Sequence, residues 1–187
     1  MTVKESRLRA GSSLLGFDDV ARLHLDGMLA TYGFLLEFSK AERGSALRRY
    51  RNGHRYIVIE VLSPMDGSAL GKVKLGTGKT DWPDCDWNHI PLSRMIHSKR
   101  IGVEDEDYQL DNLTLSIFVS QVSKDLQDYA MDFIAGELAS FNRLRAEDAR
   151  QRPPYVVHGS GPYSENTLKF MRVSKLLKDK YSSENAA

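Results

Sequence analysis

The stretch SALRRYRNGHRYIVIEVL, residues 45–62, decides the fold of this chain. A run that contains Leu47 and Tyr50, and a second run rich in β-branched side chains, flank the pair Asn52-Gly53. This pair is preferred in a two-residue type I′ turn, because both central residues of that turn need a positive φ. The stretch therefore predicts an antiparallel hairpin with Arg51 opposite His54.

Side chains alternate between the two faces of a strand, so the hairpin has one core face and one outer face. In the predicted pairing, Ala46, Arg48 and Tyr50 share a face with Arg55 and the aliphatic side chains of the second strand. We take this as the core face, against which an N-terminal helix packs. The residues that we expect to be buried are Ile57, Ile59, Val61, Val73, Leu126 and Phe133.

Further runs on either side extend the hairpin into a sheet. FLLEFS at 34–39 and ALGKVKL at 69–75 are short apolar or alternating segments bounded by turn residues, which is typical of strands. With the two strands of the hairpin, they predict a four-stranded antiparallel meander.

The segment FDDVARLHLDGMLATYGF, residues 17–34, predicts a helix before the meander. Asp18 or Asp19 is the expected N-cap and Gly33 the expected terminator. The apolar stripe predicted for this helix contains Val20, Leu23, Met28 and Leu29.

The C-terminal half is predicted to be helical. LSRMIHSK at 92–99 is a short helical stretch, and apolar residues recur at helical spacing from Leu115 to Phe133. Gly136 is expected to break this run, Pro153-Pro154 to end the next helix, and Ser164 to cap a last one. The fold class is therefore α+β, with the helical half packed on one face of the sheet.

Length and composition define one domain of ordinary size. The 187 residues divide into a flexible tail at 1–16, a single domain at 17–181 and a disordered tail at 182–187. Lys and Arg number 26 against 25 Asp and Glu, so no global field attracts nucleic acid or an anionic membrane. A single cysteine, Cys85, indicates a reducing compartment, and no apolar run resembles a signal peptide or a membrane span. We expect a cytoplasmic protein.

Several short motifs carry a resemblance to a known group. They are Tyr32-Gly33-Phe34, residues 49–53, residues 56–60, residues 70–76 and residues 134–138. The likeness spans roughly residues 17–150, and the chain is similar in this region to small, uncharacterised bacterial α+β proteins. Toxin-immunity proteins have similar small folds and act by binding and blocking a toxin. The resemblance therefore implies a bacterial protein that binds another protein without catalysis.

Aromatic residues are concentrated in the connection at residues 76–91. Both tryptophans of the chain lie there among aspartates, and Trp is enriched at protein-binding hot spots. We expect a recognition surface in this loop, the alternative being a structural lid over the sheet. The predicted protein-binding residues are Trp82, Asp84, Asp86, Trp87 and His89.

Two alternatives to protein binding remain open. The hairpin carries basic residues around Tyr50 and Tyr56 that would contact phosphates while the rings stack on bases. Because the arginines alternate over both faces, only about half of them would meet one ligand. Alternatively, Asp84, Asp86 and His89 would hold a divalent ion in a metal-dependent hydrolase. The candidate nucleic-acid-binding residues are Arg48, Arg49, Arg51, His54 and Arg55.

The sequence carries no motif for nucleophilic catalysis. The preferred hypothesis is a non-enzymatic protein-binding protein of the bacterial cytoplasm, of immunity or regulatory type. It has no catalytic residues, cofactor or metal. We expect an unknown protein as its partner, with a homodimer left open, and do not expect a membrane or nucleic acid.

Fluorescence tests the prediction for the tryptophan loop, because both indoles lie within this one segment. A recognition loop leaves at least one ring accessible, so we expect acrylamide to quench a substantial part of the native emission. Trp87→Ala should leave the free energy of unfolding nearly unchanged. Fully protected emission, with a loss of about 3–5 kcal/mol on truncation, would instead identify the loop as part of the core.

Overall fold

The structure is a computed structural model, and it describes residues 14, 16–42, 44–62, 69–78, 89–100, 108–110 and 114–151. The segment 79–88, which includes both tryptophans, lies outside the described residues. So do the helix predicted from Ser164 and the tail predicted at 182–187. Leu14, within the predicted N-terminal tail, is buried in the core.

The first helical segment begins at Phe17, two residues earlier than a cap at Asp18 and three residues earlier than a cap at Asp19 would place its start. It consists of α1 (Phe17–Ala21), a π-helical segment (Arg22–Asp26) and α2 (Gly27–Thr31). Gly16 occupies the N-cap position, so the prediction of Asp18 or Asp19 as N-cap is wrong. Both aspartates lie in the first turn, where negative charge favours the helix dipole. The segment ends before Gly33, which has φ 76° as predicted for a helix terminator.

The apolar stripe of this segment differs from the predicted one at Leu23, whose exposed fraction is 78%. The buried residues instead recur every fourth position: Phe17, Ala21, Leu25 and Leu29. With 3.6 residues per turn, Leu23 lies on the opposite side of the helix from the centre of this stripe. The sequence prediction therefore misplaced Leu23 because it chose the wrong stripe, and the π-helical turn is not needed to explain the difference.

The sheet is an antiparallel meander in the order β1-β2-β3-β4-β5, with β6 pairing with β4 outside this path. The four predicted strands are present, and two short strands were missed. His89–Pro91 lies in the connection at 76–91, which was predicted as a loop, and no strand was predicted at Tyr108–Gln109. A β-bulge between Leu36 and Phe38 interrupts the pairing of β1 with β2. The strands are β1 (Leu35–Glu42), β2 (Ser45–Asn52), β3 (Arg55–Leu62), β4 (Leu70–Thr77), β5 (His89–Pro91) and β6 (Tyr108–Gln109).

The central hairpin is present, but its turn differs from the predicted one. Asn52 pairs with Arg55, so the two central residues are Gly53 and His54. Gly53 has φ 57°, and no described non-glycine residue has a positive φ, which is the sign pattern of a type II′ turn. The register moves by two residues from the prediction. Because side chains alternate with period two, the predicted faces are unchanged.

The core lies between the Ile57 face of the sheet and the helices. All six residues predicted to be buried have exposed fractions of 3% or less. The helices after the sheet are α3 (Leu92–Lys99), α4 (Leu115–Tyr129), α5 (Met131–Ala135) and α6 (Ala139–Gln151). Gly136, with φ 104°, separates the last two as predicted. The predicted α+β class and the order of helix, meander and helical half are therefore confirmed.

Close packing of α4 on the sheet depends on Gly71 in β4. A Cβ atom at this position would lie 2.6 Å from Cζ of Phe118, which is fully buried in α4. A glycine here lets the helix approach the strand backbone directly. Among the described residues, no helix is long and apolar enough to cross a membrane.

Gly71→Ala should destabilise the protein, because the added methyl group overpacks the contact with Phe118. We expect a loss of about 1–3 kcal/mol in the free energy of unfolding, measured with urea. Gly27→Ala is the matched control, since Gly27 has helical φ −63° and open space around its Cβ direction. This control should gain about 0.5–1 kcal/mol. Equal effects of the two substitutions would contradict the packing of α4 on β4.

Candidate functional site at the edge of the sheet

A buried arginine joins the first helical segment to the sheet. Arg48 in β2 has an exposed fraction of 3%. Its Nη2 donates to both carboxylate oxygens of Asp26 at 2.8 Å. Its Nη1 donates to Oδ1 of Asp18 at 3.0 Å and to the backbone carbonyl of that residue at 3.2 Å. The guanidinium is therefore held by two carboxylates eight positions apart on the helical segment.

Tyr50 completes this cluster. Its hydroxyl accepts from Nε of Arg48 at 2.7 Å and donates to Oδ1 of Asp26 at 2.7 Å. Burial and the hydrogen bond to Asp26 raise the pKa of Tyr50 above its ordinary value. Burial alone would lower the pKa of Arg48, but attraction to Tyr50 and Asp26 leaves it raised. The tyrosine thus stays neutral and the arginine charged, and we interpret the cluster as a structural tie.

The other arginines of the hairpin also have intramolecular partners. Nε of Arg51 donates to Glu37 at 2.8 Å, and Nε of Arg49 lies 2.7 Å from the second carboxylate oxygen of Glu37 as an ion pair. Arg55 donates to the carbonyl oxygen of Phe133 at 2.8 Å, at the end of α5.

The predicted nucleic-acid site is therefore divided by the fold. Arg48 and Arg55 are on the helix-facing side of the sheet, and Arg49 and Arg51 on the other side are ion-paired. His54 is exposed in the turn. The structure does not bring these five residues to one common surface, as the alternation along the strands predicted.

An exposed apolar surface that the sequence did not predict lies on β1. Leu35 has an exposed fraction of 70%, and Leu36 and Phe38 have 45% and 43%. Leu36 pairs with Tyr50 on the helix-facing side, whereas Leu35 and Phe38 pair with arginines on the other side. We call these three residues the apolar edge. Their side chains lie on both faces of the strand.

The outer side of β1 has no partner strand among the described residues, since β1 is the first strand of the sheet order and pairs with β2. An edge strand presents backbone N–H and C=O groups that another strand can pair with. Exposed apolar side chains beside such groups are the usual features of a strand-addition site. The sequence prediction missed this site, because FLLEFS was treated only as a strand of the sheet. The position of this run as the first strand of a meander could have indicated an edge.

The ends of the predicted recognition loop lie near the same end of the sheet. Leu35 pairs with Arg51, Arg55 pairs with Thr77, and Gly76 pairs with His89. The loop leaves β4 at Gly78, which is bonded to the hairpin: its N–H donates to the carbonyl of His54 at 2.7 Å. The apolar edge and the base of the loop are three strands apart, or about 14 Å.

Of the predicted protein-binding residues, only His89 is described, as the half-buried first residue of β5. Trp82, Asp84, Asp86 and Trp87 lie outside the described residues, and their role stays a prediction. The hydrolase hypothesis depends on two of these aspartates and is equally untested. Within the described part of the chain, no group of three potential ligands is placed to hold a metal ion.

Comparisons of the chain with protein-family models, with curated proteins and with solved structures gave no match.

Asp26→Asn tests whether the buried arginine is a structural tie. The amide keeps the shape of the carboxylate but removes its charge, which leaves Arg48 buried with less compensation. We expect a loss of about 3 kcal/mol in the free energy of unfolding. Asp19→Asn on the same helical segment is the control. It removes an exposed ion pair with Arg22 and should change stability by less than about 1 kcal/mol. A small, equal effect of both substitutions would contradict the structural role of Arg48.

Proposed function

We propose that this protein is a non-enzymatic binding protein that captures an extended segment of another polypeptide along β1. The observation that carries the proposal is the apolar edge: three large side chains exposed beside the open outer side of a strand. As in the hypothesis drawn from the sequence, the partner would be blocked or regulated in the bacterial cytoplasm.

Strand addition provides both affinity and specificity. Main-chain hydrogen bonds to the outer groups of β1 give affinity, and contacts to alternate side chains give specificity. Leu35, Leu36 and Phe38 would lose water on binding, at about 25 cal/mol for each Å² of apolar surface removed. Because they flank both faces, the incoming segment should carry apolar side chains on both of its own faces.

The alternative interpretation is a protected edge. Proteins commonly guard edge strands with bulges and charges, and β1 has a bulge after Leu36 and the charged residues Lys40 and Glu42. The two charged residues lie in the second half of the strand, and the bulge lies within the apolar edge, between Leu36 and Phe38. Leu35, with 70% of its surface exposed, precedes both features. A strand protected only against aggregation would not need three exposed apolar side chains.

We propose that the predicted recognition loop extends this surface. Trp82, Asp84, Asp86 and Trp87 belong to the connection whose ends lie at the Leu35 end of the sheet. We propose that a partner strand on β1 reaches this loop at its end. The tryptophans would then add aromatic contacts to the main-chain pairing.

A photo-cross-linking amino acid at Leu35 tests this proposal in the cells that make the protein. We expect a discrete cross-link to a polypeptide other than a second copy of this chain, identified by mass spectrometry. Leu23 is the matched control, since it is a leucine with 78% of its surface exposed on the helical segment. We also expect Leu35→Lys to reduce recovery of the partner about tenfold and Leu23→Lys to leave it unchanged.

Two outcomes would overturn the proposal. One is equal cross-linking from positions 35 and 23, which would show that other proteins collide with the chain at random and do not bind at Leu35. The other is cross-linking from position 35 to a second copy alone.

A further inference from the structure

The open side of β1 presents the main-chain groups of particular residues. The pair that closes the two-residue turn of the central hairpin exchanges main-chain hydrogen bonds. Backbone groups alternate in direction along a strand, so, counting back from this turn, those of Arg49 in β2 point toward β1. The groups of Phe38, opposite Arg49, point back toward β2. The N–H and C=O groups of Ser39 and Ala41 therefore point outward, away from β2.

A strand added to this edge would form two kinds of residue pair with it. At Ser39 and Ala41 the pairs would be hydrogen-bonded through the main chain. At Phe38, Lys40 and Glu42 the pairs would not be hydrogen-bonded, and facing side chains lie closer together in pairs of this second kind. The main chain would therefore hold the added strand at the first two positions, and side chains would select it at the other three.

The three selecting side chains lie on one face of β1, the face away from the helices. Phe38 is apolar and 43% exposed. Lys40 and Glu42 have side chains 58% and 54% exposed, and Lys40 Nζ lies 2.8 Å from Glu42 Oε1. An ion pair as exposed as this one contributes little to stability, so the two charges can exchange partners at small cost.

Charges on an edge strand discriminate among added strands. Opposite charges that face each other across two strands stabilise the pairing, and like charges destabilise it. Lys40 and Glu42 would therefore disfavour strands with the wrong charges and favour a strand with the complementary ones.

We propose that the captured segment carries a basic, an acidic and an apolar residue at alternate positions, in this order from its N-terminus. The basic residue faces Glu42, the acidic residue faces Lys40, and the apolar residue faces Phe38. The order assumes an antiparallel strand, which is the direction of every pairing in the described sheet. This inference rests on the proposed function and adds the chemistry of the partner.

The size of the contact sets the expected strength. The five residues from Phe38 to Glu42 span about 17 Å of edge. This is small beside specific protein interfaces, since stable ones bury about 1,200 Å² or more. We therefore expect an isolated peptide to bind reversibly and weakly.

Two peptides of identical composition test the charge order. The first has lysine, glutamate and leucine at alternate positions in that order, with threonine between them, and the second has the lysine and the glutamate exchanged. In an NMR titration, we expect the first to bind the wild type roughly tenfold more tightly. The amide signals of Ser39 and Ala41 should shift most, because these amides point outward.

Exchanging the charges of the protein tests which residues select the peptide. Lys40→Glu/Glu42→Lys keeps the net charge and should reverse the preference, so that the second peptide binds more tightly. Lys124→Glu/Asp128→Lys on α4 is the matched control, since both residues are exposed. This control should keep the preference of the wild type.

Equal binding of the two peptides to the wild type would overturn the inference, as would no binding of either at millimolar concentration. An unchanged preference in Lys40→Glu/Glu42→Lys would also overturn it. Tighter binding of the first sequence written in reverse would show a parallel strand and contradict the proposed order. The cross-link from Leu35 to a partner does not depend on these charges. A lost charge preference beside an intact cross-link would therefore overturn this inference alone, whereas a lost cross-link would overturn the proposed function.

Discussion

The buried guanidinium of Arg48 constrains the first half of the chain. A charge with 3% exposure must be compensated within the protein, and here Asp18, Asp26 and Tyr50 supply the compensation. Both aspartates belong to one helical segment, so satisfying the arginine fixes where that segment lies on the sheet. Ser39 of β1 also donates a hydrogen bond to Asp18. The position of β1 beside the helical segment thus follows from the same cluster.

The remaining charges of the hairpin serve the fold in a similar way. Arg55 binds the end of α5, and Arg49 and Arg51 share Glu37. A basic hairpin that suggests phosphate contacts in the sequence is thereby largely neutralised within the chain. Glu37, the shared partner of two of these arginines, lies in β1 between the exposed apolar side chains of Leu36 and Phe38.

The sequence was sufficient to predict the class, the four main strands and the buried positions, because period-two alternation and helical spacing report directly on which side chains face the core. It misplaced Leu23, because the predicted stripe left out Phe17, Ala21 and Leu25, which lie on the opposite side of the helix from Leu23. It also assigned the wrong central pair to the turn, since Gly53 alone can supply the positive φ of a type II′ turn. The partners of Arg48 are far apart in sequence, and the openness of β1 depends on strand order. Neither can be read from local patterns.

Residue-resolved amide hydrogen exchange on dilute protein tests most directly whether β1 is an open edge. Along Phe38–Glu42 of an edge strand, amides that point toward β2 are protected, and the alternate amides that point outward exchange rapidly. We expect this alternation at low concentration, beside uniformly slow exchange in β3. Slow exchange at every amide of β1 would instead show that the edge is already covered within the chain, and β1 would then not be an open edge.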